Sequence, residues 1–90
     1  MKIIWSALSI IQFEEIETYL KQHYGRNTAI EFSSKLLSTI KLLAKNPHMG
    51  KKINYEIRAI VIVRQITVHY SISTHIKILT LWDNRQKPIY

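Results

Sequence analysis

Hydrophobic positions follow a strand period, then a helical period, then a strand period again. Lys2 to Trp5 is short, apolar and β-branched, and reads as a strand. Ser6 then supplies a side-chain oxygen suited to capping a helix, and Ile10, Phe13, Ile16 and Leu20 recur at three- and four-residue steps. Glu14, Glu15, Thr18 and Lys21 mark the wet side of that helix, and Gly25 is its expected stop. Thr28-Ala29-Ile30-Glu31 fits a capping box and predicts that a second helix starts there. Its buried stripe is Phe32, Leu36, Ile40 and Leu43, widened by Leu37 and Ala44, while Lys35, Lys41 and Lys45 face solvent. Asn46-Pro47 ends it, because the residue before a proline is pushed out of the helical region.

After a polar loop over 46–55 the period changes to two. Glu56 to Val63 is rich in Ile and Val, and Arg64-Gln65 is a tight connection. Ile66, Val68, Tyr70 and Ile72 then alternate with Thr67, His69, Ser71 and Ser73, the pattern of an antiparallel strand with one wet face. A turn at 73–75 leads into a last strand over Ile76 to Trp82, and 83–90 is a polar tail. The expectation is one α+β domain spanning 1–90, in the order β-α-α-β-β-β. A helical hairpin packs on one face of a small antiparallel sheet, since each helix needs that burial to be stable. Trp82 is placed in the core by the alternation Ile76, Ile78, Thr80.

Charge adds to this picture. The net charge is +7, and it is uneven: residues 1–30 are neutral, residues 31–60 hold six basic against two acidic side chains, and residues 61–90 hold four against one. A basic second half favours a polyanion or an acidic protein as partner. There is no cysteine, which excludes a disulfide or thiolate metal site and suits a reducing cytoplasm. The four histidines are scattered, so no metal site is expected, and no cofactor-binding motif is present. Ile3 to Ile11 has a faint signal-peptide look, but Gln12 and three glutamates follow it without a small-residue cleavage site. No stretch approaches the roughly 20 apolar residues of a membrane span.

Several motifs in order resemble the RelE/ParE superfamily of bacterial toxins. They are Trp5-Ser6 before the first helix, Pro47-His48-Met49-Gly50 after the second, Ile57-Arg58 opening a strand, and Val68-His69-Tyr70 in the next. The last is a hydrophobic strand running into Asp83-Asn84-Arg85-Gln86-Lys87-Pro88. The resemblance covers nearly the whole chain. It implies the toxin of a type II toxin–antitoxin system, a growth inhibitor of the plasmid-stabilization kind. Such a toxin is neutralised by a cognate antitoxin in a hetero-oligomer. RelE-like members cleave mRNA at the ribosomal A site; ParE-like members poison DNA gyrase.

RNA cleavage needs a base for the 2′-hydroxyl, cations for the charged phosphorane and an acid for the leaving oxygen. Aligned on Val68-His69-Tyr70, a RelE arginine position is held by Thr67 and a lysine position by Ile60, while Arg58 and Arg85 match basic positions and Tyr90 lies near a catalytic tyrosine. Two cations of that chemistry are therefore missing, which favours ParE-like gyrase poisoning; mRNA cleavage and a non-toxic, binding-only member are the alternatives. If the chain is a nuclease, Arg58, His69, Arg85 and Tyr90 carry it, and His69 is expected on the face away from the helices beside Thr67, Ser71 and Arg58. Target or nucleic-acid contact falls to Lys51, Lys52, Arg58, Arg64, Arg85 and Lys87. Each has a plainer reading: His69 as an exposed strand histidine, Arg58 paired with Glu56 or a tail carboxylate, Arg85 paired with Asp83, and Lys51-Lys52 as a solvated loop. The antitoxin is expected to contribute an acidic segment that adds a strand to an edge or lies in an apolar groove.

Overall fold

A computed structural model describes residues 1–84. Strand β1 (Ile3–Trp5) is followed by helices α1 (Ala7–Tyr24) and α2 (Arg26–Lys45). Strands β2 (Lys51–Lys52), β3 (Ile57–Val63), β4 (Ile66–Ile72) and β5 (Ile76–Asp83) complete the order. The strands form one sheet in the order β1-β5-β4-β3-β2. The expected helical hairpin on one face of a small sheet is present, with two differences. The sheet has a fifth strand, because Lys51 and Lys52 pair with Ala59 and Arg58 instead of remaining in the loop. It is also mixed rather than wholly antiparallel: β1 lies parallel to β5, with Ile3 opposite Ile76 and Trp5 opposite Ile78.

Ser6 caps α1 as its sequence position predicts. Its side chain accepts from the Ser9 amide at 3.0 Å, and its own hydroxyl donates to the Leu79 carbonyl at 2.9 Å. The inward line of α1 begins at Ser9, which is fully buried, and continues through Phe13, Ile16 and Leu20; Ile10, expected on that line, is exposed. A small residue at Ser9 lets the start of the helix come close to β5, and Gln12 then reaches across to accept from the Leu81 amide at 2.8 Å.

No loop separates the helices. Gly25, at φ 94° and ψ 167°, is at once the end of α1 and the cap of α2. The capping box at Thr28 does not form: α2 starts at Arg26, and the Thr28 hydroxyl donates back to the Tyr24 carbonyl. A helix that turns over on one glycine has already passed its first residues by Thr28, so no orphan amide remains for that side chain. The helices are also tied by Ser33, whose hydroxyl donates to the Glu17 carboxylate.

The core lies between the hairpin and the sheet. Phe32, Leu36, Ile40 and Leu43 of α2 meet Ile62, Ile66, Val68, Tyr70, Ile76, Ile78 and Leu81 from the strands. Leu37, expected to widen the α2 stripe, is half exposed. Trp5, Phe13 and Phe32 form a run of rings with centroids 5.9 and 6.2 Å apart, which packs the first half of α1 onto this core.

The conformation of Gly25 belongs to a region that residues with a Cβ occupy only under strain, although a Cβ there would meet no atom within 4 Å. Gly25→Ala is therefore expected to cost about 1–3 kcal/mol of stability through the backbone alone. Denaturant unfolding with an unchanged m-value checks it, and a variant as stable as the parent would show that the hairpin does not require this backbone geometry.

Candidate functional site

Alternation along β4 sends Ile66, Val68, Tyr70 and Ile72 toward the helices and Thr67, His69 and Ser71 to the other face. The pairing then fixes which neighbours share each face. On β5 the register shifts between His69 and Tyr70: Tyr70 is opposite Ile78, but His69 is opposite Thr80, so Leu79 is an extra residue. Such a bulge inverts the parity of everything after it. Leu81 consequently enters the core opposite Val68, while Thr80 and Trp82 lie with His69 and Thr67 on the face away from the helices. Trp82, expected in the core, is half-buried on that opposite face.

His69 lies on the face the sequence predicts, but it is not exposed: it retains 9% of its accessible surface and Thr67 8%. It is flanked by Ala59 and Thr80 on the adjacent strands, and Nδ1 is 3.1 Å from the Thr80 hydroxyl. Burial disfavours the charged ring and lowers its pKa from the ordinary value. Thr67 donates to the Asn84 side chain at 3.1 Å, and Asn84 in turn donates to the carbonyls of Arg64 and Gln65. The end of β5 is thus fastened to the β3–β4 turn.

Arg58 is not with His69. It stands opposite Tyr70, on the helix side of the sheet, and not on the His69 side where the sequence reading placed it. Strand alternation accounts for this: Ala59, the next residue, occupies the position opposite His69. Nor does Arg58 pair with Glu56. Its Nη1 donates to the carbonyls of His48 and Gly50, at 3.2 and 2.9 Å. Beside it the Tyr70 hydroxyl, fully buried, donates to the Pro47 carbonyl at 2.8 Å and accepts from the Gly50 amide at 2.9 Å. Arg58 and Tyr70 therefore clasp the turn that leads from α2 into β2. Gly50 has to be glycine for this contact, since a Cβ would lie 2.5 Å from the tyrosine hydroxyl and 2.9 Å from the Ala59 carbonyl. Burial raises the Tyr70 pKa, opposed by the Gly50 hydrogen bond and the Arg58 charge.

The other candidates are dispersed. Lys51 and Lys52 are exposed on β2, and Lys52 lies opposite Arg58. Arg64 is exposed in the turn at the other end of β3. Arg85, Lys87 and Tyr90 fall outside the described residues. His23, His48 and His75 are exposed, and no three His, Asp or Glu side chains are grouped to hold a metal ion among the described residues. No helix of the described residues is long and apolar enough to cross a membrane.

Sequence reasoning did not find a cleft of about 870 Å³ between the helices and the β3–β4 end of the sheet. Ile16, Leu20, Phe32, Ile66 and Leu81 give it apolar walls, and among the described residues its charged lining is Glu15, Glu31, Asp83 and Lys35. On a chain of net charge +7 the described lining is locally acidic. Nothing in the linear pattern groups these residues, since they come from both helices and from the ends of three strands.

Two measurements test these geometries. Tyr70→Phe leaves the Gly50 amide and Pro47 carbonyl without their partner, and is expected to cost about 1–3 kcal/mol. Faster hydrogen exchange at the Gly50 amide should accompany the loss; unchanged exchange would mean that the hydroxyl does not hold the turn. For His69 the folded-state pKa lies below the unfolded value of 6.5, so its contribution to stability is full above that pH and is lost as the pH falls through the folded pKa. His69→Gln should flatten this acid-side decline. A stability–pH profile that the substitution leaves unaltered would contradict the assigned burial.

No protein-family model matches the chain, and no curated protein does. Solved structures do match its fold. A chain of the chromosomal ParDE TA system from P. aeruginosa superposes with a TM-score of 0.78 at 16% identity, covering 92% of this chain and 95% of that one. The YoeB/ParE toxin from Agrobacterium tumefaciens gives 0.65 at 15% identity over 92% and 98% of the two chains. The YoeB dimer from Staphylococcus aureus gives 0.61 at 18% identity over 91% and 94%. Two helices on one face of a five-stranded mixed sheet are thus, in this chain, the fold shared by ParE and YoeB toxin structures.

Proposed function

We propose that this chain is the toxin of a type II toxin–antitoxin pair, and that it arrests bacterial growth by binding a macromolecular target in the ParE manner rather than by cleaving RNA. The observation that carries the second half is the separation of Arg58 from His69. General acid–base cleavage requires a proton-transfer group and a cation around one phosphate. Here the imidazole is on one face of the sheet, and the guanidinium is on the other, bonded to two backbone carbonyls. His69 is moreover desolvated and engaged with Thr80, and Thr67 and Ile60 occupy the places where the resemblance calls for cations. DNA gyrase is the target this reading favours.

The partner that neutralises the toxin would be the cognate antitoxin. The cleft between helices and sheet suits a segment with apolar side chains, and Glu15 and Glu31 in its described lining favour basic residues on that segment. An acidic portion of the same partner would then meet the basic second half of the chain.

Induction of the chain alone, and together with its antitoxin, tests the proposal. Growth arrest without antitoxin is expected, with SOS induction and accumulation of cleaved gyrase–DNA complex while translation initially continues. Immediate translation arrest with new mRNA ends would replace the gyrase reading with the nuclease one. Normal growth would overturn the toxin reading altogether.

A further inference from the structure

We propose that the β2–β3 hairpin tip, residues 51–56, is a docking point for single-stranded nucleic acid, with the Tyr55 ring stacking on a base and Lys51 and Lys52 contacting the flanking phosphates. Tyr55 is 92% exposed, more than any other large hydrophobic side chain described. A lone exposed aromatic is ordinary on a protein surface. This one differs in how it is held and in what surrounds it.

The backbone on both sides of the ring is fastened. The Asn54 side-chain oxygen accepts from the amides of Glu56 and Ile57, at 2.9 and 3.0 Å, and the Ile57 carbonyl accepts from the amides of Ile53 and Asn54. The hairpin base is pinned by the Arg58 and Tyr70 contacts to residues 47–50. The ring therefore projects from a rigid tip, and little backbone entropy is lost when a flat partner settles on it.

The cations are placed on either side of that tip. Lys51 is opposite Ala59, which shares the His69 face, and Lys52 is opposite Arg58, on the helix side. Lys52 Nζ lies 5.6 Å from the centre of the Tyr55 ring. Neither lysine meets a carboxylate among the described residues, and between Asn46 and Val63 the only acidic residue is Glu56. A strand crossing the tip would thus find the Lys52 ammonium at the ring and the Lys51 side chain on the opposite face of the same short strand. Alternating backbone charge and flat bases suit that spacing of chemistry; an acidic peptide would use the charges and leave the ring idle.

A short fluorescein-labelled oligothymidine, titrated with the full chain and followed by anisotropy at about 50 and 200 mM salt, tests this. Tyr55→Ala should weaken binding roughly tenfold without altering the salt dependence, and Tyr55→Phe should restore it. Lys51→Ala and Lys52→Ala should each reduce the slope of log K against log salt by about 0.7, the value per phosphate contact on a single strand. Lys41→Ala, on the exposed side of α2, serves as the control and should change neither quantity appreciably. The proposal is overturned if Tyr55→Ala binds like the parent, if Lys41→Ala loses as much as Lys52→Ala, or if polyglutamate displaces the oligonucleotide from parent and Tyr55→Ala alike. Tyr55 makes no core contact, so its substitution leaves the fold in place. The titration reads binding and not growth, so failure here leaves the toxin reading standing, and failure of that reading leaves this one standing.

Discussion

The extra residue at Leu79 governs the sheet. Without it, β5 would continue its first alternation, Trp82 would enter the core, and Leu81 would face outward. With it, the strand packs Ile76 and Ile78 before the bulge and Leu81 after it against the same helices. A bulge leaves backbone groups outside the ladder, and these must be satisfied for the distortion to persist. The start of α1 does so. The Ser6 amide donates to the Ile78 carbonyl, the Ser6 hydroxyl to the Leu79 carbonyl, and Gln12 accepts from the Leu81 amide. One short stretch, residues 6–12, thereby caps a helix, closes the parallel contact of β1 with β5 and holds the inverted register in place.

That dependence explains what could be read from the chain and what could not. Periodicity identified both helices, the three long strands and the α2 core stripe, because each rests on a local repeat of apolar side chains. The Ser6 cap was legible for the same reason. The parity inversion was not. Ile-Lys-Ile-Leu-Thr-Leu-Trp is compatible with either register, and the choice is made by a serine and a glutamine about 70 positions away. Lys51-Lys52 likewise carries no apolar signal, and it becomes a strand only because the turn before it is clasped by Tyr70 and Arg58. The burial of Ser9, in place of Ile10, is a matter of how closely α1 approaches β5, which no helical repeat encodes.

The candidate site was less legible than the fold, because a site is a set of side chains on one surface and a single register step reassigns them. His69 was placed on the correct face from its own strand, where alternation is unbroken. Arg58 belongs to a different strand, and its face depends on which residue of β4 it opposes. Opposite Tyr70 it joins the core side; one step along, at Ala59, it would have joined His69. The resemblance in sequence motifs could preserve the order of these residues without preserving their company.

The two faces of the sheet then hold their polar groups for different ends. On the helix side, Arg58 and Tyr70 spend their hydrogen bonds on backbone atoms of the 47–50 turn, which fixes the hairpin beyond it. On the far side, His69, Thr67, Thr80 and Asn84 bond among themselves and to the β3–β4 turn, which fixes the end of β5. Lys77, opposite Ser71 on that far face, is the exposed cation of a long strand. Among the described residues, Lys51 and Lys52 are exposed at one end of β3 and Arg64 at the other. The side chains that fix the two ends of the sheet are thus polar groups of its long strands, and each set is committed to backbone or to its own neighbours.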